Sequence, residues 1–319
     1  EISSAIKATV HPGDEVILVQ PFFDIYIGAI AAAGGVARYI SYKCKSDKPK
    51  SSSDFYIDLD ELKSVMNEKT KVLLINSPHN PSGKVLSKEE LQGIADVVAS
   101  HPKCIVISDE VYEHLTFDGV EHHHIANMIP ERTITVSSAG KLFSVTGWKL
   151  GWCMGPKNLL FAIQKVHQFV CFALSTPLQE AIAIALEKAE DEGHYTQLVE
   201  EYTTRRAKLY TALEKAGLNP IMPQGAFYIL ADISTLPLKE DEGRATLTGL
   251  CPERRDWRMT RRFTTDFGVT GIPCSAFFSD KDGEKPEHQR YVRFAFCKKL
   301  KDLDIAAERF GKMASAMKQ

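Results

Sequence analysis

The stretch SSAGKLFSVTGWKLGW, residues 137–152, sets Lys141 between two short apolar runs and places Lys149 shortly after it. An amine in that position is either an ordinary surface charge or a chemical group. Upstream, SDEVY puts Asp109 directly after an apolar run, with Tyr112 close behind. Removing a carboxylate from water there is costly unless a cation meets it. A helix N-cap is the plainer alternative. NSPHNPSG, which carries Asn76 and Asn80, has the residues of a tight turn and taken alone supports nothing more.

Such groups need a scaffold that gathers strand ends. Apolar and β-branched runs at 15–20, 36–42, 71–76, 104–108 and 133–137 alternate with segments of helical period such as LSKEELQGIADVVASH. The alternation predicts an α/β fold with a mixed, mainly parallel sheet between helices. Ligands of such sheets sit at the carboxyl ends of the strands, where this chain reads QPFFD, INSPHNPSGK, ISDEVY and VSSAGK. A nearly continuous helix is predicted from Ser175 to Ala216, with apolar positions 178, 182, 185 and 186 on one face. Beyond it, runs at 225–233, 268–278 and 291–299 predict strands of a smaller α/β unit. The predicted division is a large domain over residues 1–205, including the linking helix, and a small carboxyl-terminal domain over 206–319. KCKSDKPKSSSD (43–54) reads as a polar surface loop.

With 319 residues, 44% hydrophobic and 25% charged, the chain can bury a large core. A formal net charge of -2 gives no basic field, so neither nucleic acid nor an anionic membrane is expected as a partner. The cysteines at 44, 104, 153, 171, 251, 274 and 297 form no CxxC pair and are expected to be reduced core residues, as in an intracellular protein. No apolar run approaches the roughly 20 residues of a membrane span. Cytoplasm is the expected compartment, with mitochondria open, since the sequence starts without methionine at EISSAIKATVHPGDEVI and a transit peptide could have preceded it.

Asn80, Asp109, Tyr112, Ser138, Lys141, Lys149 and Arg293 follow the order and approximate spacing of the fold-type I pyridoxal-phosphate aminotransferases. NSPHNPSG, SDEVY, SAGKLFSVTGWKLGW and VRFAFCK resemble the kynurenine aminotransferase branch of that family, whose members also act as glutamine–phenylpyruvate transaminases and cysteine-conjugate β-lyases. The likeness covers nearly the whole chain. It implies a pyridoxal 5'-phosphate enzyme that exchanges an amino group between an L-amino acid (kynurenine, glutamine or an aromatic or sulfur amino acid) and a 2-oxo acid. Lys141 would form the Schiff base with the cofactor aldehyde and, once freed, move a proton. Neighbouring cations and partial burial would give it the lowered pKa this requires.

By the same resemblance, Asp109 pairs with the ring nitrogen, and Asn80 and Tyr112 hydrogen-bond the phenolic oxygen. Phe23 stacks on the ring, with Phe22 the less favoured register. Ser138 and Lys149 anchor the phosphate, the lysine as a point charge. Arg293 grips the substrate carboxylate, with Asn76 and Asn80 beside it. Lys141, Asp109 and Tyr112 are thus the implied catalytic set, and a homodimer with sites at its interface is implied as well.

The sequence departs from the family pattern at Leu142, where threonine is usual, and a minor packing change is expected. In relatives, the segment before ISSAIKATVHPGDEVI carries part of the phosphate cup and of the substrate pocket, and these residues are not in this sequence. The alternatives are therefore a cysteine-conjugate carbon–sulfur β-lyase of the same fold, or a catalytically impaired shortened form.

Other motifs read as structure. SSAGKLF lacks the glycine and the Ser/Thr of a phosphate-binding loop of the nucleotide-binding type. EHHH (121–124) is expected to be a solvated loop, with no metal. RRDWRMTRR (254–262) predicts a charged helix face of Arg254, Arg258 and Arg261 with Trp257 packing beneath, and no nucleic-acid patch. His11, His79 and His167 have no acid or nucleophile arranged for a triad, and His79 is expected to support the asparagine loop.

Overall fold

The computed structural model describes residues 1–239, 242–243 and 252–316. The strands are β1 (Glu15–Gln20), β2 (Val36–Ser41), β3 (Lys43–Cys44), β4 (Phe55–Tyr56), β5 (Thr70–Asn76), β6 (Ile105–Asp109), β7 (Thr133–Ser138), β8 (Gly151–Met154), β9 (Tyr228–Asp232), β10 (Ile272–Pro273) and β11 (Tyr291–Ala295). The helices are α1 (Ile2–Thr9), α2 (Ile25–Ala32), α3 (Leu59–Val65), α4 (Lys88–Ala99), α5 (Ala139–Leu142), α6 (Lys157–Val170), α7 (Thr176–Ala189), α8 (His194–Lys215), α9 (Arg255–Phe267), α10 (Asp280–Gly283) and α11 (Leu300–Ala316).

Apolar runs without alternation need cover on both faces, and the main sheet provides it. Its order is β2-β1-β5-β6-β7-β8, parallel except for antiparallel β7–β8. Val72, Val106, Ile107 and Ile134 in its middle are inaccessible to solvent. One core forms against α3 and α4 through Leu62, Leu91 and Ile94, and the other against α1, α2 and α6 through Ile6, Ile30 and Ile163. α4 starts at a capping box in which the Ser87 side chain accepts from Glu90 N (3.2 Å) and Glu90 Oε2 accepts from Ser87 N (2.9 Å). Register aligns the strand ends: Asn76 pairs with Asp109, and Asp109 with Val136, so the polar residues there stand side by side.

A second sheet, β10-β11-β9, is antiparallel. Its core, with Phe263, Phe294 and Phe310, continues through Tyr112 and Leu142 of the first unit.

The structure corrects several expectations. The long helix is two, because Gly193 takes a left-handed conformation (φ 67°) and breaks the run between α7 and α8. On α7 only Ile182 of the four expected face positions is buried, and Leu186 is 37% exposed. Of 268–278 only Ile272–Pro273 is strand: Gly268 ends α9 in a left-handed conformation and the residues after Pro273 coil into a short 3-10 helix. Segment 43–54 holds β3 and a capped turn with Ser52 buried, rather than a bare loop. Of the described cysteines, all free, Cys44 and Cys171 are exposed rather than core, and Cys251 lies outside the described residues. Among the described residues no helix is long and apolar enough to cross a membrane.

Candidate active site

The carboxyl ends of β5, β6 and β7 border a cavity of about 310 Å³ whose lining includes Phe23, Asn76, Asn80, Asp109, Tyr112, Ser138, Lys141 and Arg293. Larger clefts of 570 and 860 Å³ elsewhere contain none of these residues. Eight of the nine residues singled out in the sequence thus meet in one place. The ninth, Lys149, is exposed and outside the lining.

Asp109 ends β6 and is 3% exposed. Its Oδ2 accepts a hydrogen bond from the Tyr26 hydroxyl at 2.5 Å, and among the described residues it has no ion-pair partner. Burial pushes the Asp109 carboxyl up to about 6, although the Tyr26 hydroxyl and the Val111 N–H pull the other way. A buried carboxylate so placed is held ready for a protonated nitrogen.

The asparagine loop is tied to the same strand. Asn76 Nδ2 donates to the Asp109 carbonyl (2.8 Å), and Asn76 Oδ1 accepts from Asn80 N (2.7 Å). Gly83 closes the loop at φ +72°, where a Cβ would come within 2.4 Å of Pro223 Cβ, so only glycine fits. His79 is buried and neutral, its pKa pushed down to about 3 by burial, with Ser82 Oγ on Nδ1 at 2.7 Å. It supports the loop.

Arg293 comes from the other sheet, on β11. Its guanidinium donates to Asn80 Oδ1 (2.6 Å) and lies over the rings of Tyr228 (4.2 Å) and Phe277 (4.8 Å). Its Nε is buried with no partner among the described residues. One nitrogen of the fork is therefore committed and another is an unsatisfied donor.

Ser138 caps α5, its Oγ accepting from Gly140 N (3.1 Å) and donating to Leu150 O (3.3 Å). This short helix carries Lys141, whose Nζ stands 5.3 Å from the Phe227 ring centre and 5.7 Å from that of Tyr112. Burial lowers the Lys141 pKa, Arg293 and Lys149 push it the same way, and Cys297 and Asp109 oppose. A lysine with that bias is a better nucleophile and proton acceptor near neutral pH than a surface lysine. Leu142 beside it is buried in the core.

Phe23 faces the cavity while Phe22 is buried on Tyr39 (5.8 Å between ring centres). Sequence reading missed Tyr26 and Tyr228. Tyr26 follows Phe23 at helical spacing in FFDIY, and that was its one signal. Tyr228, whose hydroxyl shares a 2.9 Å hydrogen bond with Tyr112, had none.

The aminotransferase class I and II family model matches residues 1–310. The chain is 50% identical over 306 residues to the kynurenine–oxoglutarate transaminase of Dictyostelium discoideum, covering 92% of this chain and 70% of that protein. It is 40% identical over 314 residues to human kynurenine–oxoglutarate transaminase 3, covering 96% and 67%. Among solved structures, Bna3p of Saccharomyces cerevisiae superposes with a TM-score of 0.92 at 32% identity, over 98% of this chain and 74% of that one.

Proposed function

The chain belongs to the class I and II aminotransferase family, a family of pyridoxal-phosphate transaminases, and from that premise we propose that it moves the amino group of L-kynurenine or a related amino acid to a 2-oxo acid. The half-identical kynurenine–oxoglutarate transaminase supports that choice of substrate. The observation that carries the reading is the meeting of Lys141, Asp109 and Arg293 around one cavity at the strand ends.

The residues fit the cofactor. Asp109 is a buried carboxylate with no ion-pair partner among the described residues, which suits a protonated ring nitrogen, and the Phe23 ring, the hydroxyls of Tyr112 and Ser138 and the Lys141 amine border the same cavity. When bound, the cofactor supplies a reactive aldehyde and an electron-withdrawing ring. Asp109 would hold the ring nitrogen, Phe23 the ring face, Asn80 and Tyr112 the phenolic oxygen, and Ser138 with Lys149 the phosphate. Lys149, now exposed, would have to turn inward for this.

Lys141 would be the covalent anchor and the carrier of the substrate's Cα proton. Its lowered pKa leaves more of the amine free to accept that proton. Arg293 would take the substrate carboxylate on the edge not given to Asn80, as a two-point fork that also fixes the Cα–H direction. Asn76, whose side chain is occupied with Asp109 and Asn80, would act by holding this loop in place.

The two-domain division and the homodimer belong to the same proposal. Phe169 and Phe172, both 86% exposed at the end of α6 and just after it, offer apolar side chains that a second copy would cover.

The test is glutamate formation from 2-oxoglutarate with kynurenine as donor, against a Lys141→Ala control. We expect activity in the first and a loss of at least about a hundredfold in the second. Glutamate no higher than in the Lys141→Ala chain would overturn the reading. Cleavage of a cysteine conjugate without consumption of the 2-oxo acid would mark β-elimination instead.

A further inference from the structure

The EHHH segment, expected to be a solvated loop without partners, is folded against the back of β6. Strand alternation sends Asp109 and Glu110 to opposite sides. Asp109 enters the cavity, while Glu110 turns away and has its side chain 1% exposed. There its Oε2 meets two imidazoles: His122 Nε2 at 2.9 Å and His124 Nδ1 closer still. The three donor atoms lie within 4.8 Å of one another, and the two rings stand edge to face at 4.7 Å.

We propose that Glu110, His122 and His124 form a binding site for a divalent transition-metal ion, zinc being the ion their ligand set suits best. Two imidazoles and one carboxylate converge, and one such ion bonds these groups at about 2.0–2.2 Å. A small rotation of the imidazoles would admit it, and the ion would replace the two hydrogens that His122 Nε2 and His124 Nδ1 direct at Glu110 Oε2, each of which leaves to solvent or moves to the other nitrogen of its ring. A fourth position is left for water on the side of His124, which is 39% exposed.

The site is built rather than incidental. Ser108 Oγ donates to Glu110 Oε1 (2.7 Å), fixing the carboxylate so that its other oxygen faces the histidines. The loop bearing the histidines is pinned at both ends. Arg206 grips Asp118 through two bonds of 2.7 and 2.8 Å, and Ile125 is fully buried. His122 is 7% exposed, and its Nδ1 is buried without a partner among the described residues. The cluster needs no cofactor, and its test does not depend on transaminase activity.

Zinc is titrated into the full chain, freed of unbound cofactor, against a chromophoric chelator. One ion should bind per chain, with His122→Asn and His124→Asn each weakening it at least tenfold, while His123→Asn leaves it unchanged. Circular dichroism of each variant separates lost binding from lost folding. Cobalt(II) in place of zinc should show visible d–d bands without a thiolate charge-transfer band. An unchanged affinity in the His122→Asn/His124→Asn double variant, or a thiolate band, would overturn the proposal.

Discussion

The Asp109 carboxyl offers a test that needs no substrate. In the cofactor-free protein its pKa stands near 6, against 3.8 for an unperturbed aspartate, because it is buried. The native state therefore binds this proton more tightly than the unfolded chain does. Stability from it is fully present below pH 3.8 and is lost as pH rises through 6. The gap of about 2 pKa units corresponds to about 3 kcal/mol of ionisation cost at pH 8, of which roughly half is relieved at pH 5. Asparagine cannot ionise and still accepts the Tyr26 hydroxyl. Asp109→Asn should thus stabilise the cofactor-free chain by about 3 kcal/mol at pH 8 and by roughly half as much at pH 5. Urea unfolding of both proteins at the two pH values measures this. A gap that does not narrow with acid, or a variant less stable at pH 8, would refute the reasoning. The same variant should bind pyridoxal phosphate more weakly.

Arg293→Lys replaces a fork by a point charge and should lose one charge-assisted bond to the substrate, about 1.5–3 kcal/mol, raising the KM for the amino acid roughly 10- to 150-fold. Steady-state kinetics test this, and a change under threefold would remove Arg293 from carboxylate binding. Phe169→Asp with Phe172→Asp should convert a dimer to a 35.6 kDa monomer in light scattering without altering circular dichroism; an unchanged mass would move the interface elsewhere. Ser87→Ala removes the cap of α4 and should cost about 1 kcal/mol of stability, read from the urea midpoint, while an unshifted midpoint would make the capping box a bystander.

The sheet was legible because its inner strands are buried on both faces and so read as unbroken apolar runs, as EVILVQ and KVLLIN do. β8 was not, since four residues beginning with glycine carry no period. The break at Gly193 was overlooked because helical spacing continues on both sides of it, and one left-handed residue leaves no mark on periodicity. The site residues on strand ends were readable as motifs, and the structure brings most of them to one cavity. Pairings made by tertiary contact could not be read: Tyr26 with Asp109, Tyr228 with Tyr112, and Glu110 with the histidines of a loop that nothing local connects to it.

The 2.6 Å bond from Arg293 to Asn80 joins β11 of the small sheet to the loop after β5 of the large one. The group proposed to meet an incoming carboxylate is thus also a fastening between the two sheets. A visiting anion negotiates with a hand already held, and its gain is the difference between the new bond and whatever it disturbs in the old. Small anions with nothing else to offer bind at a discount, whereas a ligand that fills the cavity adds contacts the amide oxygen cannot match. If Arg293 holds the substrate carboxylate as proposed, selectivity against small carboxylates follows from a contact that also ties the two sheets together.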